Sequence, residues 1–538
     1  MRRNILLFGM VLMGSAANAA TSIQQSDDNE WLTLDFVRQT TPWLRSSNAA
    51  GMNEMKIKKI SEAELFFDKG NGQWVNYNES DNDLQAGIGA GSYFRLNQEI
   101  VLTGQIGYSF YQGQNMGGSY LIDPYHAPFD IVDLNEESRG KKRKETYHVM
   151  GGVSGRINKH WILGGKFDYH AINFTKQKDL RHTNHLMDLV ISPAVVFEAN
   201  DRLKLGIDYL YQRKNEGITY QTFGTTDKIY NSLISYGAFW GTKEEFGTNG
   251  YTKGNENKPL VDQFHQGDFQ LEWNMSSRLS LFNEVGYKKR KGHYGVQSPH
   301  TIVNSNHNSD IVLNHTTFAM KYPTHHHYIN VGFEWERLNN FENIYRYDNE
   351  SGGLQDVGYY GQIKTGHKTC WNLNADYTLH LNMQNGLPAW VVNAGYATQK
   401  RSTRATYYPS YRIQQLHTHR YHLAAQYNLY KQKNQYSFLL AAQYGYGLGD
   451  KSADGTFTPD AEVQNPMQSH NNFLDQEFEY FTTRQMNYNL QAKYARKLKD
   501  SKIVGYCSIN YNFAFAPKIQ YIKGDRHHLL SLKIGCKF

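Results

Sequence analysis

From Leu530 to the end the chain alternates without a break. Leu530, Leu532, Ile534, Cys536 and Phe538 are apolar, and Ser531, Lys533, Gly535 and Lys537 stand between them. A period of two sends successive side chains to opposite faces of a strand. A last strand with one wholly apolar face, ending on an aromatic, suits the wall of a transmembrane β-barrel, where one face meets lipid and the other a wet lumen. In that phase Lys533 and Lys537 point inward and Cys536 points to lipid. The strand must pair with the first one, near residues 55–67, to leave no open edge.

The other end of the chain agrees. Arg2 and Arg3 precede a short apolar run, residues 5–13, and Ala17-Asn18-Ala19 reads as a small-residue cleavage site. Residues 1–19 are therefore expected to be a signal peptide. No later segment approaches the ~20 apolar residues of a spanning helix, so a membrane location requires a closed barrel. The C-terminus also resembles the assembly signal of bacterial outer-membrane barrels, which commonly end in Phe. Mean hydropathy is −0.66, low because a barrel confines its lipid face to alternate positions. The 39 Tyr and 27 Phe suit interfacial girdles. A net charge of +7 spread along the chain excludes a nucleic-acid partner and suits outer-membrane lipid headgroups or anionic solutes. Three cysteines make no complete disulfide framework.

Residues 20–53 are not barrel-like. Trp31, Phe36, Trp43 and Leu44 stand among other apolar residues and precede a run of small ones, which predicts a short helix or coil that stays periplasmic or plugs the lumen. Residues 54–538 fall into alternating runs separated by short and long connections in turn. The short ones centre on Leu96-Asn97-Gln98, Asn158-Lys159-His160, Ala199-Asn200-Asp201, Ser276-Ser277-Arg278 and residues 323–326, 382–388, 431–434 and 499–501, rich in turn formers. The long ones include residues 114–142, 217–260, 295–310, 341–363 and 451–477. This asymmetry is that of periplasmic turns and extracellular loops. The fold expected is an all-β, antiparallel up-and-down barrel of about eighteen strands, with sixteen as the alternative.

Alternation assigns the inner face. Asp83, Arg95, Arg156, Lys166, Asp168, His170, Lys204, Asp208, Glu272, Glu334, Glu336 and Asp376 are expected to line the lumen, with His148, Asp188 and Glu284 among their neighbours. Both signs are present. Such a wall either sets the selectivity of a solute path or braces a wide hydrated interior. Among 22 histidines, His417 and His419 share a strand face, while His422 takes the opposite one; these, His325-His326-His327 and His527-His528 read as surface or interfacial groups rather than metal ligands. No G-x-S-x-G elbow, H-E-x-x-H helix or phosphate loop is present, so neither a cofactor nor an enzyme is expected. Residues 217–260 hold Phe223, Tyr230, Tyr236, Phe239, Trp240, Phe246 and Tyr251, which points to a loop that binds a partner.

The stretch Phe36-Val37-Arg38-Gln39-Thr40-Thr41-Pro42-Trp43-Leu44-Arg45-Ser46-Ser47-Asn48-Ala49-Ala50-Gly51-Met52, with the barrel pattern after it, resembles an uncharacterised family of outer-membrane β-barrels from Bacteroidota. The resemblance implies an outer-membrane barrel and, through its association with energy-coupled nutrient receptors, a supporting role in uptake. It carries over no catalytic or binding residue. The leading expectation is a channel or transport component for an unknown solute. The alternatives are a non-conducting scaffold or receptor barrel that binds a lipoprotein or energy-coupled receptor through long loops, and a lipid-active membrane enzyme.

Overall fold

Alternating side chains become a continuous antiparallel ladder. In this computed structural model, which describes residues 30–224, 228–351, 354–458, 466–498 and 502–538, 18 strands run from Lys59–Gly72 to Arg526–Lys537 and each pairs with the next strand of the wall. The first and last strands close the cylinder, with Leu65 opposite Ile534 and Phe67 opposite Leu532. No edge is left, so the wall satisfies its own backbone groups as a barrel in lipid must. The proposed signal peptide lies outside the described residues.

Seven of the eight short connections foreseen from turn residues join two wall strands at one end of the barrel, and residues 499–501 lie outside the described residues. Ile100–Met116 follows Asn82–Arg95 there, and Leu203–Gln221 follows Arg181–Asn200. The outward face is apolar. Leu65, Ile106, Leu163, Ile207, Leu423, Leu490 and Ile534 are all exposed. His417 and His419 lie on this face, hydrogen-bonded to Thr398 Oγ1 and Tyr396 Oη. His422 points inward to Asp376, with Nε2 3.1 Å from Oδ1.

Two expectations about the loops are corrected. Residues 341–363 are mostly not a loop: the strands His325–Ser351 and Leu354–Gln384 continue through them as one tall hairpin. Register shifts near Asn340 and Ile344 absorb the irregular pattern while the ladder continues, so the hydrogen bonds of the pair outweigh the loss of alternation. The second correction concerns the aromatic segment before Leu260. It does not offer its rings to a partner. It folds back over the barrel mouth, where Tyr236, Phe239, Trp240 and Tyr251 are buried. Clustered rings gain more from packing on each other than from facing water. Among the described aromatic residues of this segment Phe223 alone is strongly exposed, at 66%.

Candidate functional site

Residues 30–58 enter the barrel from the turn end and cross its interior. Thr33 caps the helix Leu34–Thr40 by accepting from Phe36 N. Pro42–Leu44 and Ala49–Glu54 are short 3-10 turns, the second capped by Asn48, whose side chain accepts from Ala50 N. Trp43 and Leu44 are buried in a cluster with Leu34, Val37, Met52 and the wall residues Ile162, Val196 and Phe282. The Trp43 indole meets Phe282 edge-on at 5.1 Å and donates from Nε1 to Glu272 Oε2 at 2.7 Å. Phe36 stacks on His380 at 5.6 Å. Trp31 sits at the barrel end, where Lys537 Nζ donates to its carbonyl at 3.2 Å.

Polar ties hold this segment around most of the wall. Arg95 donates to the carbonyls of Asn53 and Met55. Lys204 Nζ lies 2.5 Å from Glu54 Oε2 and 3.3 Å from Glu198, which also pairs with Arg156. Ser47 Oγ donates to Asp208 Oδ1 at 2.8 Å and to Glu284 Oε1 at 2.7 Å. Arg45 reaches Thr317 and Asn330, and Asn48 reaches Gln270. The wall yields space as well. A Cβ on Gly164 would sit 2.3 Å from Ala50 N, so only glycine admits the segment at that point.

The loop end is closed by a second device. Asp130–Asp133, Asn231–Gly237, Trp240–Glu245 and Gln468–Ser469 form a small sheet, and the helix Asn471–Thr482 packs beside it. Wall cations meet this cap. Lys176 Nζ lies 2.6 Å from Asp133 Oδ2 with both side chains buried. Lys368 donates to the carbonyls of Tyr125 and Ala127, and Arg412 to Ser469 Oγ. Within the cap, burial pushes the Asp130 carboxyl up to about 6 even though Ser119 and Tyr77 donate to it.

Between the two closures lies a polar cavity of about 440 Å³, floored by Ser47 and walled by groups that include Asp268, Glu284, Glu334, Asn372, Gln399 and Arg420. Of the twelve lumen candidates, Arg95, Lys204, Asp208 and Glu272 contact residues 30–58 directly. Arg156 acts one step away through Glu198. Glu334 lines the cavity. Glu336 stands opposite Cys370 in the register, and Asp376 pairs with His422. Lys166, Asp168 and His170 share the inner face of Trp161–Lys176. Asp83 stands opposite Gly70 near the loop end, apart from the rest. Sequence reasoning missed Asp268 and Gln270, although they share the face of Glu272 at alternate positions. It also missed Arg45, Ser47 and Asn48, whose role depends on where the segment docks.

Residues 49–538 match the family described as a family of unknown function, DUF6850. The chain belongs to that family. No curated protein matches it in sequence. Among solved structures it is similar to the FrpB iron transporter from Neisseria meningitidis, at 8% identity over 92% of this chain and 83% of that one, with a TM-score of 0.39. The outer membrane transporter YddB from Escherichia coli is similar at 8% identity over 90% of this chain and 81% of that one, with a TM-score of 0.39. The CymD monoaromatic hydrocarbon channel matches at 9% identity over 91% of each chain, with a TM-score of 0.31.

Proposed function

We propose that this protein is an outer-membrane transport component for a small polar solute, gated by a plug at its periplasmic end and a cap at its outer end. The carrying observation is the polar cavity of about 440 Å³ between the two closures. Barrels of 18 strands leave a wide aqueous lumen unless it is filled, and here both mouths are filled while the middle is kept polar. That volume lies within the ~300–1,000 Å³ of small-molecule sites. Its mixed carboxylates, amides and Arg420 suit a solute rich in hydrogen-bonding groups. The apolar outward belt supports the membrane location. In this reading residues 20–53 are the plug and residues 54–538 the conducting barrel. A periplasmic partner, a lipoprotein or an energy-coupled receptor, would supply the work of displacing the plug.

Single-channel recording in planar bilayers tests the proposal. The full chain should be silent, a variant lacking residues 20–53 should conduct, and one also lacking residues 231–245 should conduct more. A doubly trimmed barrel that folds and stays silent refutes it. Closure at both ends also favours a second reading, a non-conducting scaffold, which the same silence would support.

A further inference from the structure

One cluster on the inner face of the barrel wall serves neither closure. His148 on the strand Gly140–Arg156 stands directly opposite His170 on Trp161–Lys176, and Asp168 lies two residues before His170 on the same inner face. His148 Nε2 is 3.0 Å from Asp168 Oδ1, and His170 Nδ1 is 3.3 Å from the same oxygen. Asp188 faces His170 across the next pair of strands and accepts from Gln212 Nε2 at 2.9 Å. None of the hydrogen bonds of His148, Asp168 or His170 among the described residues reaches the plug or the cap. The three side chains keep 25%, 32% and 40% of their surface open to the interior.

We propose that His148, Asp168 and His170 bind a divalent late first-row transition-metal ion, of the Zn²⁺ or Cu²⁺ class, on the inner face of the barrel wall. Imidazole and carboxylate are the ligands such ions take, and hard Mg²⁺ or Ca²⁺ would call for more oxygens. Metal–ligand bonds of about 2.0–2.2 Å place neighbouring donor atoms roughly 2.9–3.5 Å apart, and the two spacings here are 3.0 and 3.3 Å. All three donors lie within 4.8 Å of one another. The imidazoles stack at 4.1 Å and 6°. A tilt of each ring about χ2, a broad torsion in His, turns both lone pairs toward one point. Asp188, held by Gln212, stands where it can orient the His170 ring, as carboxylates beside metal-bound histidines do. Three protein ligands with partly open side chains leave coordination positions for water or for a donor group of the solute. The site does not depend on the transport reading, since a silent barrel would bind the ion as well.

The test uses the tag-free full chain in detergent. Zn²⁺ retained after dialysis is counted, and Cu²⁺ is examined by electron paramagnetic resonance. Wild type should retain one tight equivalent whose copper spectrum shows coupling to two nitrogens. H148Q/H170Q should lose both, and H417Q/H419Q, the neighbouring pair on the outer face, should lose neither. Asp168→Asn keeps the shape and should weaken binding about 10–100-fold, with the heat-modifiable folded band unchanged on gels. Retention of the equivalent by H148Q/H170Q overturns the proposal, as does its loss only from H417Q/H419Q. If H148Q/H170Q does not fold, unchanged affinity in Asp168→Asn overturns it.

Discussion

Trp43 is the side chain on which plug docking most depends, and its removal has a calculable effect. The indole is 1% exposed. Its replacement by alanine forfeits about 3–5 kcal/mol of burial and packing. The Nε1 bond to Glu272 contributes a further ~1.5–3 kcal/mol, as a hydrogen bond to a charged group. Water from the lumen can enter the space left behind and Lys204 stays 4.0 Å from Glu272, so the lower ends apply and Trp43→Ala should cost about 4.5 kcal/mol. At 1.4 kcal/mol per decade the undocked population rises roughly 10³-fold. Trp43→Phe keeps a ring against Phe282 and loses the donor alone, which gives about 10-fold. Cys370 supplies the assay, because it stands opposite Glu336 and Arg401 on the inner face. Cys507 and Cys536, on the lipid face, are first replaced by Ser. Labelling of Cys370 by a charged maleimide in proteoliposomes then reports access to the chamber, and its rate follows the open population when reclosing is fast. The expected order is Trp43→Ala, then Trp43→Phe, then wild type, in steps near those ratios. Equal rates in all three would refute the view that Trp43 holds the plug.

Three further outcomes follow from the same geometry. Gly164→Val should force the plug off the wall and speed Cys370 labelling, whereas Gly165→Val, whose Cβ meets nothing within 4 Å, should leave the rate unchanged. Lys204→Met removes the cation among Glu54, Glu198 and Glu272 and strands partly buried carboxylates, so it should open the plug more than Glu54→Gln does in the same assay. The cap should tighten in acid. Its Asp130 carboxyl is pushed up to about 6, above the ~4 of an unfolded chain, so the folded cap binds the proton more strongly. The stabilisation is complete below about pH 4 and is lost as pH rises through 6. Hydrogen exchange of residues 117–139, corrected for intrinsic rate, should show protection falling from pH 5 to 7.5 in wild type and a flat profile in Asp130→Asn.

The wall was legible because its rule is local. Alternation marks the two faces of each strand, and turn residues such as Asn97, Asn158 and Asn200 mark where one strand stops. These two signals suffice for 18 strands and for an inner face that carries Lys204, Asp208 and Glu272. What fills the lumen obeys no such period. Trp43 and Glu272 are 229 positions apart, and nothing near either residue encodes the pairing. The inward turn of the aromatic segment is equally non-local, since Tyr236 and Trp240 find their partners on other loops and on distant strands. The pairing of His148 with His170 needed the register of a hairpin, in which a shift of one residue would have sent His170 to the opposite face from its neighbour.

The two closures differ in kind, and under the proposed function the difference orders their opening. The cap segments each join two wall strands and share one sheet, with Asp130–Asp133 paired to Asn231–Gly237 and Trp240 paired to Ser469. Their rings also interlock, Phe129 lying 5.2 Å from both Tyr251 and Tyr294. To open the mouth, several loops must give way together, at the expense of a shared aromatic core. The plug runs on into the wall at Lys59 and consists of short helical pieces and the residues between them, tied to separate strands through Arg45, Ser47 and Glu54. Such a segment can be peeled piece by piece, and every group it releases faces a wet chamber rather than lipid, so desolvated charges are not stranded on the way. A pull on residues 30–44 from the turn end of the barrel therefore acts on the weaker closure and, through Arg45 and Ser47, withdraws the floor of the polar cavity before the cap has to move.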